Sequence, residues 1–209
     1  MKIEIWADVV CPWCWIGEAR LAHAVVAAGA EDRVQIEIRA FRLDPDPDPP
    51  RVPTVERLQR KYGWTEADTL QRMAHISELG AELDLPLHPE RAISAPSTDA
   101  LRLVLAAQPA QLDFAVMTAM HRAHFTDGLD VGDHDVLRTA ASAAGMDEAL
   151  ITEVLGSDRH ADDIAADEEQ ARAFGVSGVP FAVLDRRLGV SGAQPQEVFD
   201  DALRQALGG

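Results

Sequence analysis

The chain has 209 residues, 47% of them hydrophobic, with two cysteines and a formal net charge of −16 from 35 acidic against 19 basic residues. That charge repels nucleic acid and anionic lipid, two cysteines cannot staple a chain of this size, and no apolar run approaches the ~20 residues of a membrane span; nucleic acid and membrane are therefore not expected partners. Met1-Lys2 runs into Ile3-Glu4-Ile5-Trp6 without the basic and long apolar regions of a secretory signal. This gives a cytoplasmic expectation, and there a cysteine pair is catalytic or metal-binding more often than structural.

Residues 2–9 alternate, with Ile3, Ile5, Ala7 and Val9 on one face and Lys2, Glu4, Trp6 and Asp8 on the other, the period of a strand. Trp15, Ala19, Ala22 and Val26 then recur at i, i+4, i+7 and i+11, which predicts a helix buried along that stripe and stopping near Gly29. Arg33–Phe41 alternates again, so the first forty residues read as strand, helix, strand. The run "LDPDPDPP" follows, in which each proline removes a backbone donor and biases its predecessor away from helix; it reads as an extended spacer.

From Thr54 to Phe174 the pattern is helical, with segments expected at Thr54–Gly63, Thr65–Leu83, Ser97–Gln108, Gln111–Phe125, His134–Ala144, Met146–Leu155 and Arg159–Phe174. Thr65, Asp133, Asp147 and Asp158 stand where N-caps are wanted, and Gly63, Gly145, Gly156 and Gly175 where helices end. Phe181–Leu184, a turn at Asp185-Arg186-Arg187 and Leu188–Val190 form a hairpin. A last helix follows Pro195 and is expected to bury Val198, Phe199, Ala202, Leu203 and Ala206.

Both cysteines lie in Cys11-Pro12-Trp13-Cys14, at the junction of the first strand and helix. A sulfur at a helix start, with Pro12 at the first helical position, meets free backbone N–H groups and the helix dipole, both of which favour a thiolate. Cys14, one turn on, is expected to be better shielded. An exposed attacking thiolate and an inner resolving thiol are the two roles of disulfide exchange. The competing reading is a structural zinc site, but that wants four ligands and the chain has no second cysteine pair. Histidines would have to complete it, and the close pair His121 and His124 reads as partly exposed or hydrogen-bonded surface. No metal is expected. The loop "GVSGVPF", residues 175–181, carries a Val179-Pro180 bond that is a candidate for cis and could offer backbone to an extended substrate beside the cysteines.

On "IWADVVCPWCWIG", "HRAHFTDGLDVGDHDVLRTAASAAGM" and "GVSGVPFAVLDRRLGVSGAQP" the sequence resembles, over its whole length, the DsbA-like branch of the thioredoxin superfamily, and within it the FrnE-like subfamily. The resemblance implies an α/β thioredoxin fold (residues 1–50 and 160–209) interrupted by a helical insertion domain (51–159). It further implies Cys11 as nucleophile, Cys14 as resolving thiol, and a cis Pro180 facing them. The activity implied is that of a thiol-disulfide oxidoreductase without metal or organic cofactor. Its partners would be disulfide-containing proteins or small molecules and a thiol that recycles the pair.

Two departures stand out. Trp13 occupies the position where DsbA-type enzymes hold a thiolate-stabilising His. Ile5 occupies the position, six residues before the nucleophile, of the buried carboxylate that relays a proton to the inner thiol, which leaves Asp8, Glu4 or water for that task. Trp13 and Trp15 could form an apolar rim for substrate, with Trp15 also fitting the helix core. "SGAQP", residues 191–195, reads as a strand-to-helix turn. The same fold hosts glutathione-dependent isomerases of the 2-hydroxychromene-2-carboxylate type, which carry a Ser-type residue where Cys11 stands. A non-catalytic adaptor is the third possibility, and the intact cysteine pair argues against both.

Overall fold

In the computed structural model, which describes residues 1–208, four strands form one sheet in the order β2-β1-β3-β4. β1 (Lys2–Ala7) runs parallel to β2 (Gln35–Ala40), pairing Ile3 with Ile36 and Ile5 with Ile38. A parallel pair needs a crossover, and α1 (Pro12–Ala27) supplies it. β3 (Phe181–Leu184) is antiparallel to β1 and to β4 (Leu188–Ser191), and the hairpin turns through left-handed backbone at Asp185 and Arg186.

β1 is central and covered on both sides, so its alternation does not separate core from solvent. Ile3, Ile5 and Ala7 enter the main apolar cluster. Trp6, on the other face, is equally buried: its indole N–H donates to the Asp167 carbonyl at 2.9 Å and Phe174 meets its ring edge-on. Glu4 and Asp8 are buried there too, with partners described below.

Between β2 and β3 lie seven helices: α2 (Thr54–Tyr62), α3 (Glu66–Ala81), α4 (Thr98–Ala107), α5 (Asp113–His121), α6 (His134–Ala143), α7 (Glu148–Leu155) and α8 (Ala161–Ala173). Asp133 and Asp147 cap as expected, and Thr65 forms a full capping box with Asp68. Asp158 does not: α8 begins after His160, which takes a positive φ. The segment expected to be helical through Phe125 leaves the α pattern at His121 and continues as a five-residue π turn, Arg122–Thr126. α4 and α5 pack on β2, so Leu101, Val104, Val116 and Met117 join Ile3, Ile5 and Ile38 in one continuous apolar cluster.

Residues 44–50 form a spacer in which Asp44 and Asp46 each accept a hydrogen bond from the backbone two residues on, a turn chemistry suited to alternating Asp-Pro. Just beyond it, Pro53 forms an isolated antiparallel bridge with Ile93.

The stripe expected on α1 is misplaced. Trp15 is buried but Val26 is 60% exposed and Ala19 and Ala22 are half-buried, while Cys14, Ile16, Gly17, Leu21, Ala24 and Val25 are covered. The helix packs against α9 (Gln196–Gly208), α3 and α5, and its Leu21, Ala24 and Val25 join the cluster of Ile3 and Ile5, so burial is not confined to one face. In α9, Phe199, Ala202 and Leu203 are buried as expected, Ala206 is half-buried and Val198 is exposed.

Candidate active site

β1 ends at Ala7, and Asp8-Val9-Val10 turns the chain into α1. The turn is closed by the Cys11 N–H, which donates to the Asp8 carbonyl at 3.1 Å. Cys11 is the N-cap, with extended backbone (φ −104°, ψ 106°), and Pro12 starts the helix because its fixed φ suits that position and its missing N–H would have had no partner. The N–H of Cys14 donates to the Cys11 carbonyl at 3.0 Å, which places the second sulfur one turn inward.

The two sequence motifs meet here. The Cys11 thiol lies 3.7 Å from the Val179 carbonyl oxygen, and the Val179-Pro180 peptide is cis. Pro180 sits against α1 at Gly17: a Cβ on Gly17 would fall 2.7 Å from the Pro180 Cγ. The Pro180 carbonyl accepts from the Gly192 N–H at 2.8 Å, and the next two carbonyls, Ala193 and Gln194, are held by the Arg20 guanidinium at 2.9 and 2.8 Å. The turn at 191–195 therefore ties the Pro180 loop to α1. Gly17 and Arg20 escaped the sequence reading; the glycine at the end of "CPWCWIG" was its one available sign.

The expected difference in exposure between the sulfurs is small. Cys11 is 3% exposed and Cys14 is fully buried. The difference lies in their neighbours: Cys11 borders the Val179 carbonyl and stands two residues from Trp13, which at 36% exposed is on the rim. Burial pushes the Cys14 thiol well above the usual range, helped by a hydrogen bond and charge from Cys11 and by the charge of Glu18. Trp15 belongs to the core, stacked at 5.7 Å on His121.

Beneath the cysteines lies polar machinery that sequence spacing hides. Asp8 is buried; its carboxylate accepts from the Leu43 N–H at 2.7 Å and is hydrogen-bonded to Ser97, yet burial outweighs these and raises its pKa. His121 and His124 are interior residues, contrary to the surface expectation. His121 Nδ1 is 3.0 Å from the Val9 carbonyl and Nε2 is 3.3 Å from Oε2 of the buried Glu18. His124 sits in the π turn, hydrogen-bonded to the Leu129 backbone, and burial lowers its pKa to about 4. Glu4 is engaged elsewhere, by Arg39 at 2.6 Å and Arg186 at 3.0 Å. Among the described residues no three His, Cys, Asp or Glu side chains converge as a metal site, and no helix is long and apolar enough to cross a membrane.

Residues 2–204 match the family described as the DSBA-like thioredoxin domain. The crystal structure of the probable DsbA oxidoreductase SCO1869 from Streptomyces coelicolor superposes with a TM-score of 0.93 at 36% identity, covering 100% of this chain and 90% of that one. The uncharacterized Bacillus subtilis (strain 168) protein YwbO is 26% identical over 205 residues, 97% of this chain and 96% of its own length. The cytosolic disulfide reductase DsbM from Pseudomonas aeruginosa, in its structure with GSH, shares the fold at 18% identity and a TM-score of 0.69, with 99% of each chain covered.

Proposed function

The chain belongs to the DsbA-like thioredoxin family and is a thiol-disulfide oxidoreductase, and from that premise we propose that Cys11 and Cys14 are its reacting pair. Cys11 is the nucleophile, Cys14 the resolving thiol, and the Val179-Pro180 segment the backbone against which substrate lies, with Pro12 and Trp13 shaping the site. One observation carries this reading: the N-cap sulfur of α1 faces the Val179 carbonyl beside Pro180, with the second sulfur buried one turn behind.

The attacking species is the Cys11 thiolate, at the N-terminal end of α1 beside its backbone N–H groups and the positive end of the helix dipole. That thiolate attacks a substrate disulfide and forms a mixed disulfide. Cys14 then attacks Cys11, the substrate thiolate leaves, and the pair is oxidised; a thiol partner reduces it again. With Cys11 only 3% exposed, its in-line attack on a bulky disulfide requires the surroundings of the sulfur to give way. Substrates are disulfide-bonded proteins or small molecules, and the setting is the cytoplasm. The motifs quoted above support a FrnE-like placement. Paired thiols at 11 and 14 disfavour the isomerase chemistry, which runs on a Ser-type residue at the first position, and leave the adaptor reading without a use for them.

The test is a pair of substitutions with a chromogenic disulfide. Cys11→Ser should abolish turnover. Cys14→Ser should still attack, then stall as a mixed disulfide visible by intact mass and released by reductant. If Cys14→Ser instead cycles at the wild-type rate without added thiol, the division of roles is wrong.

A further inference from the structure

Glu18 follows Cys14 by four residues on α1, so the two side chains project from the same face of the helix, and both are buried. A carboxylate in the interior is costly unless it is paired, and the partner comes from α5: His121 Nε2 lies 3.4 Å from Oε1 and 3.3 Å from Oε2. The other ring nitrogen, Nδ1, faces the Val9 carbonyl at 3.0 Å. A carbonyl only accepts, so Nδ1 carries a proton. Nε2 then either donates to Glu18 as part of an imidazolium or accepts from a protonated Glu18; in both cases one proton is shared between carboxylate and imidazole. Oε2 of Glu18 makes no hydrogen bond of its own, and in the imidazolium–carboxylate arrangement it is the open proton acceptor.

We propose that Glu18 accepts the proton of Cys14 when Cys14 attacks the mixed disulfide on Cys11, with His121 as the positioning residue that holds the Glu18 carboxylate through its Nε2. The Cys14 S–H proton passes to Glu18, a bond forms between the Cys14 and Cys11 sulfurs, and the bond from Cys11 to substrate breaks with its electron pair on the departing sulfur. The cysteine pair loses two electrons and the substrate sulfurs gain them; the proton on Glu18 is then lost to the departing thiolate or to water. This gives Glu18 the task that the carboxylate missing at Ile5 would have had.

The surroundings contain few competitors. Asp8, from the β1–α1 turn, is engaged by Leu43, Val10 and Ser97 while feeling the charge of His121. α3 and the turn after it meet Trp15 and Ile16 through apolar Ile76, Leu79 and Leu83, and Arg20 is turned to the carbonyls of Ala193 and Gln194. His124 is hydrogen-bonded to Leu129, with its pKa lowered.

The proposal rests on Cys14 being the resolving thiol, and the trapping experiment with Cys14→Ser tests that premise separately. For Glu18, formation and resolution of the mixed disulfide are timed in single turnovers of Glu18→Gln. Loss of a proton acceptor should slow resolution relative to formation on the order of 10²-fold at neutral pH. Resolution in the variant should also climb about tenfold per pH unit as Cys14 ionises unaided, a steeper rise than in the wild type. A purely structural role would slow both steps together and leave the pH profile unaltered, which overturns the proposal, as does a variant identical to wild type. If Glu18→Gln does not fold, the wild-type protein carries the test through the carboxyl carbon resonance of Glu18. That resonance should titrate differently in the reduced and oxidised protein; an identical titration in the two states overturns the proposal.

Discussion

Gly17 sits in the second turn of α1, without a positive φ, so its missing side chain serves space rather than backbone freedom. Alanine there would gain up to ~1 kcal/mol in helix propensity and lose ~1–3 kcal/mol to overpacking against the Pro180 ring, which cannot swing aside as a flexible chain end would. Gly17→Ala should therefore lower stability by about 1 kcal/mol in urea denaturation and cut disulfide turnover more than that loss explains, because the displaced loop is the one beside Cys11. A variant as active as wild type would detach the loop from catalysis. The same residue marks what the sequence could tell. Cys11, Cys14 and Pro180 were legible because cysteine and proline carry their chemistry at any position; the closeness of Gly17 to Pro180 and of Glu18 to His121 joins positions 163 and 103 residues apart, which no local pattern encodes.

At the scale of elements, alternation predicted β1 and β2, and the capping residues Thr65, Asp133 and Asp147 predicted the starts of α3, α6 and α7, because those signals are local backbone chemistry. The buried face of α1 was misread since the helix is covered from several sides, and the π turn was invisible because its sequence, Arg122–Thr126, suits an α-helix equally well. That turn carries a measurable consequence. His124 keeps Nδ1 buried without a partner, and its folded pKa of about 4 lies below the ~6.5 of an unfolded histidine. Between those values the unfolded chain binds more protons, so stability rises with pH there: the contribution is complete above about pH 6.5 and is lost as pH falls through about 4. At about 1.4 kcal/mol per pH unit it amounts to roughly 3 kcal/mol. Asp8, Asp113 and Asp167, raised by burial, act in the opposite sense, losing stability as pH rises through their raised values. The measurement is therefore the stability difference between wild type and His124→Asn as a function of pH. It should shrink on acidification from about pH 7 to about pH 4; a difference constant across that range would show that His124 protonates as freely folded as unfolded.

For the whole molecule, strand order was the least legible feature, since placing β1 between β2 and β3 depends on pairings across the 140 residues that separate β2 from β3. Glu4 shows what holds that arrangement. Its buried carboxylate on β1 receives Arg39 from β2 and Arg186 from the β3–β4 turn, and Arg39 reaches on to Asp167 of α8 at 3.3 Å. Burial alone would raise the Glu4 pKa, but the hydrogen bonds from Arg186 and Arg39 outweigh it and hold the group below the ordinary carboxylate range. Its contribution is thus present above about pH 4.5 and is lost as pH falls through the depressed value. Glu4→Gln removes the charge while keeping the shape, and should cost about 2–3 kcal/mol at neutral pH, less than the ~3–5 kcal/mol of a fully buried pair because both arginines keep access to water. The loss should vanish toward low pH, where the wild-type carboxylate is itself protonated. Glu4 was one of the acceptors the sequence allowed for the Cys14 proton, so the same variant separates scaffold from chemistry. With its carboxylate committed to two arginines, Glu4→Gln should unfold earlier in urea yet leave the pH profile of mixed-disulfide resolution unchanged, and a shifted profile would return Glu4 to the active site.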